Sequence, residues 1–288
     1  MKIAAVVILY HPTIDIISNI QSYYNYVDVL FVFDNSETKS FEQDRFSTFS
    51  KIQYYKDFQN QGIASRLNTA CELSIKEDYQ WLLTMDQDTS FSEEAIKNYL
   101  QCFENFQGKD KVAGFGTNFK KEKVTSIATS QSKNVHRLIT SGMLLNLSLY
   151  EKIGGFDEAL FIDLVDNEYC IAAKKLGYSL IEFSDIYITH NLGKQVHRSS
   201  IKSLFLIKKK KNIHTPLRCY YMYRNMLYIK EKYKGSNIWL AENIKGIVIS
   251  HIMVCILYGR QTLGIFKSLF IAAEDFRNKK MGKIEKEF

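Results

Sequence analysis

The chain has 288 residues, of which 46% are hydrophobic and only 2 are proline. This length allows one large domain or two small ones, and the absence of a Gly/Ser-rich stretch argues against a string of flexibly linked modules. Five scattered cysteines without a C-x-x-C pair argue against a disulfide framework and a structural zinc site, and favour a reducing cytoplasm. The net charge is +7, with lysines clustered at 208–211 and 279–286, which indicates an anionic partner for the C-terminal part.

The first half of the chain alternates short apolar runs with segments of helical period. Residues 3–9 are apolar and β-branched, which predicts a strand buried on both faces and argues against a signal peptide. Further strands are predicted over 29–33, 52–56, 81–85 and 112–116, and helices over 13–26, 62–75 and 91–106. This alternation predicts an α/β protein with a parallel or mostly parallel sheet.

The second half begins with an apolar stretch over 137–149. A helix is predicted over 167–176, ending at Gly177, and a strand over 178–189. After about Arg198 the pattern indicates long, basic, aromatic-rich helices, so we expect a division near residue 200.

Polar clusters follow two of the predicted strands. Asp34-Asn35-Ser36 follows the second strand, and Asp86-Gln87-Asp88 follows the strand over 81–85. Ligands of open α/β sheets bind beyond the carboxyl ends of the strands, so both acidic groups are expected on one edge. Two carboxylates at i and i+2 can hold a divalent cation that bridges nucleotide phosphates. The alternative is an ordinary turn in which Asp bonds locally.

A second acidic group comprises Asp163, Asp166 and Glu168 among apolar residues. Partial burial raises the pKa of a carboxyl group and suits it to accept a proton. The alternative is a helix N-terminus, where acidic side chains offset the macrodipole.

Two further segments could contact a ligand. His190 follows the strand over 178–189, and an imidazole can complete a coordination sphere begun by carboxylates, although a structural or solvated histidine is the alternative. The stretch from Asn60 to Ala64, with Asn68, indicates a helix entry at Gly62 whose N–H groups could meet a phosphate or a base. Simple helix capping is the alternative.

Taken in chain order, these segments resemble the inverting glycosyltransferase family 2, and within it the bacterial rhamnosyltransferase group of cell-surface polysaccharide assembly. The resemblance covers about residues 3–230 and implies the GT-A fold, an α/β architecture with a mostly parallel, Rossmann-like central sheet flanked by helices. The stretches that carry it are Val6-Val7-Ile8-Leu9-Tyr10-His11-Pro12, Phe33-Asp34-Asn35-Ser36, Asn60-Gln61-Gly62-Ile63-Ala64, Met85-Asp86-Gln87-Asp88-Thr89, Gly154-Gly155-Phe156-Asp157-Glu158-Ala159-Leu160-Phe161-Ile162-Asp163, His190-Asn191-Leu192-Gly193 and Tyr220-Tyr221-Met222-Tyr223-Arg224-Asn225.

The resemblance also implies a domain division and residue roles. Residues 1–200 would form the GT-A domain, with 1–118 binding the nucleotide sugar and 119–200 the acceptor, and 201–288 a helical C-terminal extension. Asp166 would be the general base with Glu168 as its acidic companion, and Asp88 with His190 would bind Mn²⁺ or Mg²⁺. The residues that would bind the nucleotide sugar are Tyr10, Asp34, Asn60, Gly62, Asn68, Asp86, Ser141 and Gly142. Many relatives have an arginine where this chain has Ala172, which puts phosphate contacts near Lys174 and Lys175 in question.

The activity implied is inverting, metal-dependent transfer of one sugar to a hydroxyl of a glycan or a polyprenyl-linked glycan. The expected donor is dTDP-L-rhamnose, with a UDP-hexose or UDP-galactofuranose as the alternative. A sugar-phosphate nucleotidyltransferase would carry a Gly-rich loop after the first strand, where this chain has Tyr10-His11-Pro12. A non-catalytic glycan-assembly partner would not need Asp88, Asp166 and His190 together.

The C-terminal quarter combines apolar, basic and aromatic residues. Residues 247–258 are largely apolar but too few to span a bilayer, which takes about 20. Basic residues among aromatics predict contact with an anionic membrane, that is, a cytoplasmic protein on the inner face of the plasma membrane. The alternatives are a helical cap with a solvated face and a homodimer contact. No nucleic acid partner is expected.

Overall fold

The computed structural model describes residues 2–38, 43–119, 131–190, 195–199, 208–236 and 243–285, with the backbone alone at 43, 119, 190, 195–199 and 208–212. The chain forms two compact units. The first comprises Met1–Glu158 and Val165–Asn191, and the second comprises Ala159–Leu164 and Leu192–Phe288.

The first unit contains a central sheet and five α-helices within the described residues. Its strands are β1 (Ile3–Leu9), β2 (Val29–Asp34), β3 (Ile52–Lys56), β4 (Trp81–Asp86), β5 (Thr89–Ser90), β6 (Val112–Phe119), β7 (Ser132–Asn134), β8 (Met143–Asn146) and β9 (Ser179–His190). Its helices are α1 (Ile16–Tyr24), α2 (Gly62–Lys76), α3 (Glu93–Asn105), α4 (Leu147–Ile153) and α5 (Val165–Lys175). The predicted elements of the first half are confirmed to within a few residues at each end.

The strands are arranged in the order β3-β2-β1-β4-β8-β6-β9-β5, and β7 also pairs with β9. The predicted parallel arrangement holds from β3 to β4. From β8 onwards the sheet is mixed, because β8 runs antiparallel to both β4 and β6, whereas β6 and β9 are parallel. A four-residue apolar strand looks the same in either direction, so the sequence pattern could not show this reversal.

The core explains why these apolar runs form strands. Every residue of β2 and almost every residue of β1 is buried, as expected of strands covered on both faces. Where β6 and β8 meet, the buried Tyr99 hydroxyl donates toward the carbonyl oxygens of Phe115 and Gly142, at 2.9 and 3.0 Å, and accepts from the Leu144 N–H at 3.2 Å. One α3 side chain thus satisfies backbone groups of both strands.

The second unit contains the antiparallel pair β10 (Gln195–Ser199) and β11 (Lys208–Asn212), and the helices α6 (Pro216–Lys232), α7 (Ile244–Tyr258) and α8 (Thr262–Arg277). Helices alone were expected after residue 198, and the strand pair corrects that prediction. The four consecutive lysines have no acidic residue four positions before or after them that could form an ion pair in a helix. α6 begins as capping chemistry predicts, with Thr215 Oγ1 accepting the Arg218 N–H at 3.3 Å and Pro216 in the first turn. None of the helices among the described residues is long and apolar enough to span a membrane.

Candidate active site

The two acidic clusters lie at the same edge of the sheet, as predicted. β1 pairs in parallel with β2 on one side and β4 on the other, with Leu9 opposite Asp34 and Ile8 opposite Asp86. The carboxyl end of β1 therefore lies between both carboxylates, and Tyr10 follows directly. This edge is the place where α/β sheets bind ligands.

Asp34 is buried in a set of local hydrogen bonds. Its Oδ1 accepts the Ser36 N–H at 3.0 Å, and its Oδ2 accepts the Tyr54 hydroxyl at 2.8 Å and forms an ion pair with Lys56. Burial acts to raise the pKa of Asp34, but these hydrogen bonds, led by that from Lys56, hold the pKa below its ordinary value. Asp34 therefore holds the end of β3 against β2, and its contact with a nucleoside stays a prediction.

Asn60 and Gly62 belong to a network centred on the buried Asn35. Asn35 Nδ2 donates to Asn60 Oδ1 at 2.9 Å, and Asn60 Oδ1 also accepts the Gly62 N–H at 3.1 Å. Asn35 Oδ1 in turn accepts Arg66 Nε at 3.0 Å. Gly62 has a φ of +81°, which favours glycine at this entry into α2. The network holds Asn60 at the entry into α2, at the same edge of the sheet as Asn35.

The acidic turn after β4 is fixed to β1 by its middle residue. Gln87 Oε1 accepts the Tyr10 N–H at 2.8 Å, and Gln87 Nε2 donates to the Tyr10 carbonyl oxygen at 3.2 Å. The Gln87 carbonyl oxygen also accepts Asn19 Nδ2 at 2.8 Å. Because the Gln87 side chain turns toward β1, the flanking Asp86 and Asp88 are held in a defined turn.

Ser141 and Gly142 adjoin this acidic turn. The Ser141 hydroxyl donates to Thr89 Oγ1 at 2.8 Å and accepts the Asp86 N–H at 3.4 Å. Gly142 has a φ of +77°, and an added Cβ would lie 3.0 Å from Thr117 Oγ1, so the position requires glycine. Their predicted contact with the sugar remains a prediction.

The predicted metal ligands lie on neighbouring strands. β5 pairs with the end of β9 so that Thr89 is opposite His190, which places the His190 backbone beside Asp88. The His190 side chain and residues 191–193 lie outside the described part of the chain. Among the side chains that the structure describes, no group of three or more His, Cys, Asp and Glu residues could hold a metal ion. Mg²⁺ is commonly held by one or two carboxylates together with substrate phosphates, so the half-buried Asp86 and Asp88 fit such an ion.

Asn68, which was predicted to bind the nucleotide sugar, forms four hydrogen bonds with the segment that includes and follows α4. Its Nδ2 donates to the Phe156 carbonyl oxygen and to Glu158 Oε1, both at 2.9 Å, and its Oδ1 accepts the Tyr150 hydroxyl at 2.8 Å and the Phe156 N–H at 2.9 Å. These bonds use the full capacity of the amide. Asn68 therefore holds the turn that contains Gly155, and a contact with a donor would require one of these bonds to break.

The second acidic group is divided between two elements. Asp166 and the buried Glu168 lie in the first turn of α5, where Asp166 Oδ1 accepts the Asn167 N–H at 2.8 Å. Asp163 instead forms an ion pair with Arg218, with 2.6 Å between Asp163 Oδ1 and Arg218 Nη2. The location of Asp166 fits both the predicted base and the helix-start alternative, whereas the Asp163 carboxylate is occupied by a guanidinium.

Asn225 and Arg224 of α6 hold the segment Ala159–Leu164. Asn225 Nδ2 donates to the carbonyl oxygens of Leu160, Ile162 and Asp163 at 2.9, 2.8 and 2.9 Å. The segment has positive φ angles at Phe161, Asp163 and Leu164, between 63° and 65°, which cost energy for residues other than glycine. These hydrogen bonds offset that strain.

The buried Arg224 joins the same segment to the C-terminal end of the unit. Its Nη1 donates to the Gly282 carbonyl oxygen at 2.8 Å and to the Tyr220 hydroxyl at 3.1 Å, and that hydroxyl donates to Asp275 Oδ2 at 2.8 Å. Burial is the main cause that raises the pKa of Tyr220 to about 12, so it stays protonated between the two charges. The stretch from Tyr220 to Asn225, which was singled out by resemblance, therefore organises the second unit.

We expect Asn225→Asp to lower the melting temperature of the protein by about 5 °C or more. The substitution keeps the shape of the side chain but replaces both N–H donors by a carboxylate oxygen that faces three carbonyl oxygens. Thermal unfolding followed by circular dichroism measures the effect. Asn278→Asp, at an exposed asparagine after α8, is the matched control and should shift the melting temperature by less than about 2 °C. Equal melting temperatures for the two variants would contradict the role of Asn225.

Four residues that hold this edge together had no predicted role: Tyr54 and Arg66, and also Asn35 and Gln87, which the sequence placed in the two polar clusters. The sequence could have indicated a role for Arg66, because it lies among the buried positions of α2, where a charged side chain requires a partner. It finds Asp57, with 2.6 Å between Arg66 Nη2 and Asp57 Oδ1. The sequence does not indicate the role of Gln87, because its hydrogen-bond partner Tyr10 lies 77 residues away.

The mixed sheet with acidic turns at the carboxyl ends of β2 and β4 is the arrangement expected of the GT-A fold. Solved structures of this fold are similar to the chain. S. aureus TarS 1–349 has a TM-score of 0.58 at 14% identity, over 96% of this chain and 80% of that one. GalNAc-T7 with UDP, GalNAc and Mn²⁺ has a TM-score of 0.52 at 10% identity, over 66% and 44%.

The family follows from the sequence itself. The model of glycosyl transferase family 2 matches residues 12–156, about half of the chain. A dTDP-rhamnosyl transferase (RfbF) of Shigella flexneri is 27% identical over 281 residues, which are 90% of this chain and 89% of that protein. The chain belongs to glycosyl transferase family 2, so the predicted family and fold are confirmed, and the protein is a glycosyltransferase.

Proposed function

We propose that the protein transfers L-rhamnose from dTDP-L-rhamnose to a hydroxyl group of a glycan or polyprenyl-linked glycan, with inversion at the anomeric carbon. The proposed donor rests on the sequence similarity to a dTDP-rhamnosyl transferase, which extends over nearly the whole of both chains. A UDP-hexose or UDP-galactofuranose is the second candidate, because a similar structure, that of TarS, was solved in complex with UDP-GlcNAc.

Inverting transfer is an in-line displacement at the anomeric carbon. The acceptor oxygen forms a bond to that carbon while the bond from the carbon to the diphosphate oxygen breaks. Asp166 takes the proton of the acceptor hydroxyl, a contribution of about 10²- to 10⁴-fold. The buried Glu168 lies in the same helical turn and would support the charge state of Asp166 or hold the acceptor.

The donor would lie along the carboxyl ends of β1, β2 and β4. Tyr10, Asp34 and Asn60 would surround the nucleoside, and Asp86 would face the ribose or a water on the metal. Ser141 and Gly142 would line the sugar pocket. Asp88 and His190 would hold Mn²⁺ or Mg²⁺, which neutralises charge on the departing diphosphate. Holding donor and acceptor in line reduces the entropy that the reaction must lose.

A donor screen by thermal shift with Mn²⁺ tests the proposed donor. We expect dTDP-L-rhamnose to raise the melting temperature, and by more than UDP-glucose, UDP-GlcNAc or UDP-galactofuranose do, because a ligand that binds only the folded state stabilises it. dTDP alone is the control for the nucleotide part. If a UDP sugar stabilises the protein and dTDP-L-rhamnose does not, the proposed donor is wrong although the protein remains a glycosyltransferase.

A further inference from the structure

The last two helices of the C-terminal unit expose a set of large apolar side chains. We call the set the apolar hairpin surface; it comprises Ile249, Met253, Leu257, Leu263, Phe266 and Phe270. Their exposed fractions range from 38% at Ile249 to 86% at Leu263. On α7 the three residues are spaced at i, i+4 and i+8, and on α8 at i, i+3 and i+7, so each helix presents one apolar stripe.

Other side chains of the two helices form the buried faces that pack within the unit. The buried residues of α7 are Ile244, Val248, Ile252 and Cys255, and those of α8 are Ile265, Ser268, Ala272 and Asp275. Each helix therefore packs with one face and leaves a second apolar face exposed. A helix with apolar residues on all sides is typical of burial or of contact with lipid, and large exposed apolar patches mark interaction sites.

Basic residues outnumber acidic ones around this surface, although Glu274 lies one turn after Phe270 on α8 and Glu242 directly precedes Asn243. From Asn243 to Ala273 the sequence contains Lys245, Arg260 and Lys267 but no Asp or Glu. All three basic residues are exposed, and Arg260 lies in the turn that joins α7 to α8. A partner that fits this surface should therefore offer an apolar region to the exposed side chains and negative charges to the basic residues.

We propose that the apolar hairpin surface binds an anionic lipid bilayer, with α7 and α8 lying in the membrane plane. Apolar side chains would insert at the boundary between headgroups and acyl chains, and Arg260 and Lys267 would contact lipid phosphates. With 15 residues, α7 is about 22 Å long at 1.5 Å per residue, shorter than the ~30 Å hydrocarbon core. It therefore suits binding at the interface. The proposal does not depend on the sugar that the enzyme transfers.

A second copy of the chain fits this surface less well. A twofold interface pairs the same patch with itself, so the basic residues of the two copies would lie close together. Glu274 could pair with one of the three basic residues of each copy, but the excess of like charge brought together at the interface opposes association. An anionic bilayer neutralises the same charges.

Flotation of the full-length protein with vesicles tests the proposal. We expect binding to phosphatidylcholine vesicles that contain phosphatidylglycerol, weaker binding at high salt, and little binding to phosphatidylcholine alone. The double substitution Phe266→Ser/Phe270→Ser should lower the partition coefficient about tenfold or more. Arg260→Gln/Lys267→Gln should weaken binding to the anionic vesicles and reduce its salt dependence.

Matched controls come from the first unit. Leu176→Ser removes an apolar side chain that is 53% exposed, and Lys152→Gln removes an exposed charge, so both should bind vesicles as the unchanged protein does. Circular dichroism verifies that each variant is folded. Failure to bind anionic vesicles at low salt, or equal binding by the double serine variant, would overturn the proposal. A dimer in sedimentation that the double serine variant dissociates would assign the surface to a second copy instead.

Discussion

Asp166→Asn should lower kcat by about 10²-fold or more while the affinity for the donor stays nearly unchanged. Asparagine keeps the shape of the side chain and can still accept the Asn167 N–H, which Asp166 Oδ1 now accepts at 2.8 Å. It cannot take a proton from the acceptor. A loss in kcat without a loss in donor binding is the result expected for an interaction made in the transition state. Steady-state kinetics with saturating donor, together with donor titration, measure both quantities.

Asp163→Asn is the control for this experiment. The Asp163 carboxylate accepts two donors of Arg218, Nε and Nη2, at distances between 2.6 and 3.2 Å. Replacing the carboxylate by an amide should therefore weaken this ion pair. The free energy of unfolding should fall by about 1 kcal/mol or less, because the Arg218 side chain is about half exposed. The decrease in kcat should be smaller than for Asp166→Asn. An inactive Asp163→Asn with an active Asp166→Asn would place the base three residues earlier.

Asp88→Ala should abolish the part of donor affinity that depends on Mn²⁺ while the fold survives. Asp88 lies half-buried in the turn between β4 and β5, so removing its carboxylate leaves no cavity in the core. The substitution removes the carboxylate oxygen that Asp88 would supply to the metal, and His190 would remain as the one proposed protein ligand. Calorimetric titration of dTDP-L-rhamnose with Mn²⁺ and with EDTA gives the two affinities.

The control for Asp88 is Asp110→Ala, which removes a carboxylate from the turn before β6. It should leave both affinities unchanged. With Asp88→Ala, the affinity measured with Mn²⁺ should fall to the affinity measured with EDTA. If Mn²⁺ still strengthens donor binding by the same factor as in the unchanged protein, Asp88 does not bind the metal.

The sequence by itself determined the parallel half of the sheet and the edge that carries the acidic clusters. Continuous β-branched and apolar runs, as in β1 and β2, form strands that are covered on both faces, and helical period between them requires parallel crossovers. Parallel order then places the ends of neighbouring strands together, so Asp34 and Asp86 had to lie at one edge. Local composition was sufficient to predict the strands and the location of the two carboxylates, because each prediction depends only on a single strand and its direction.

Only the tertiary structure decided the features that depend on distant partners. The pairing of β8 with β4, the four bonds of Asn68, and the hydrogen bonds of Asn225 to Ala159–Leu164 join residues that are 59 or more positions apart, with no local signal in either partner. The exposed face of α7 is a further case. Because α7 is apolar on every side, its periodicity could not show which face packs, and the neighbouring helices of its unit decide that. The local sequence pattern determines where a strand or helix forms and where it ends. The partner of a side chain depends instead on which strands and helices the fold brings together.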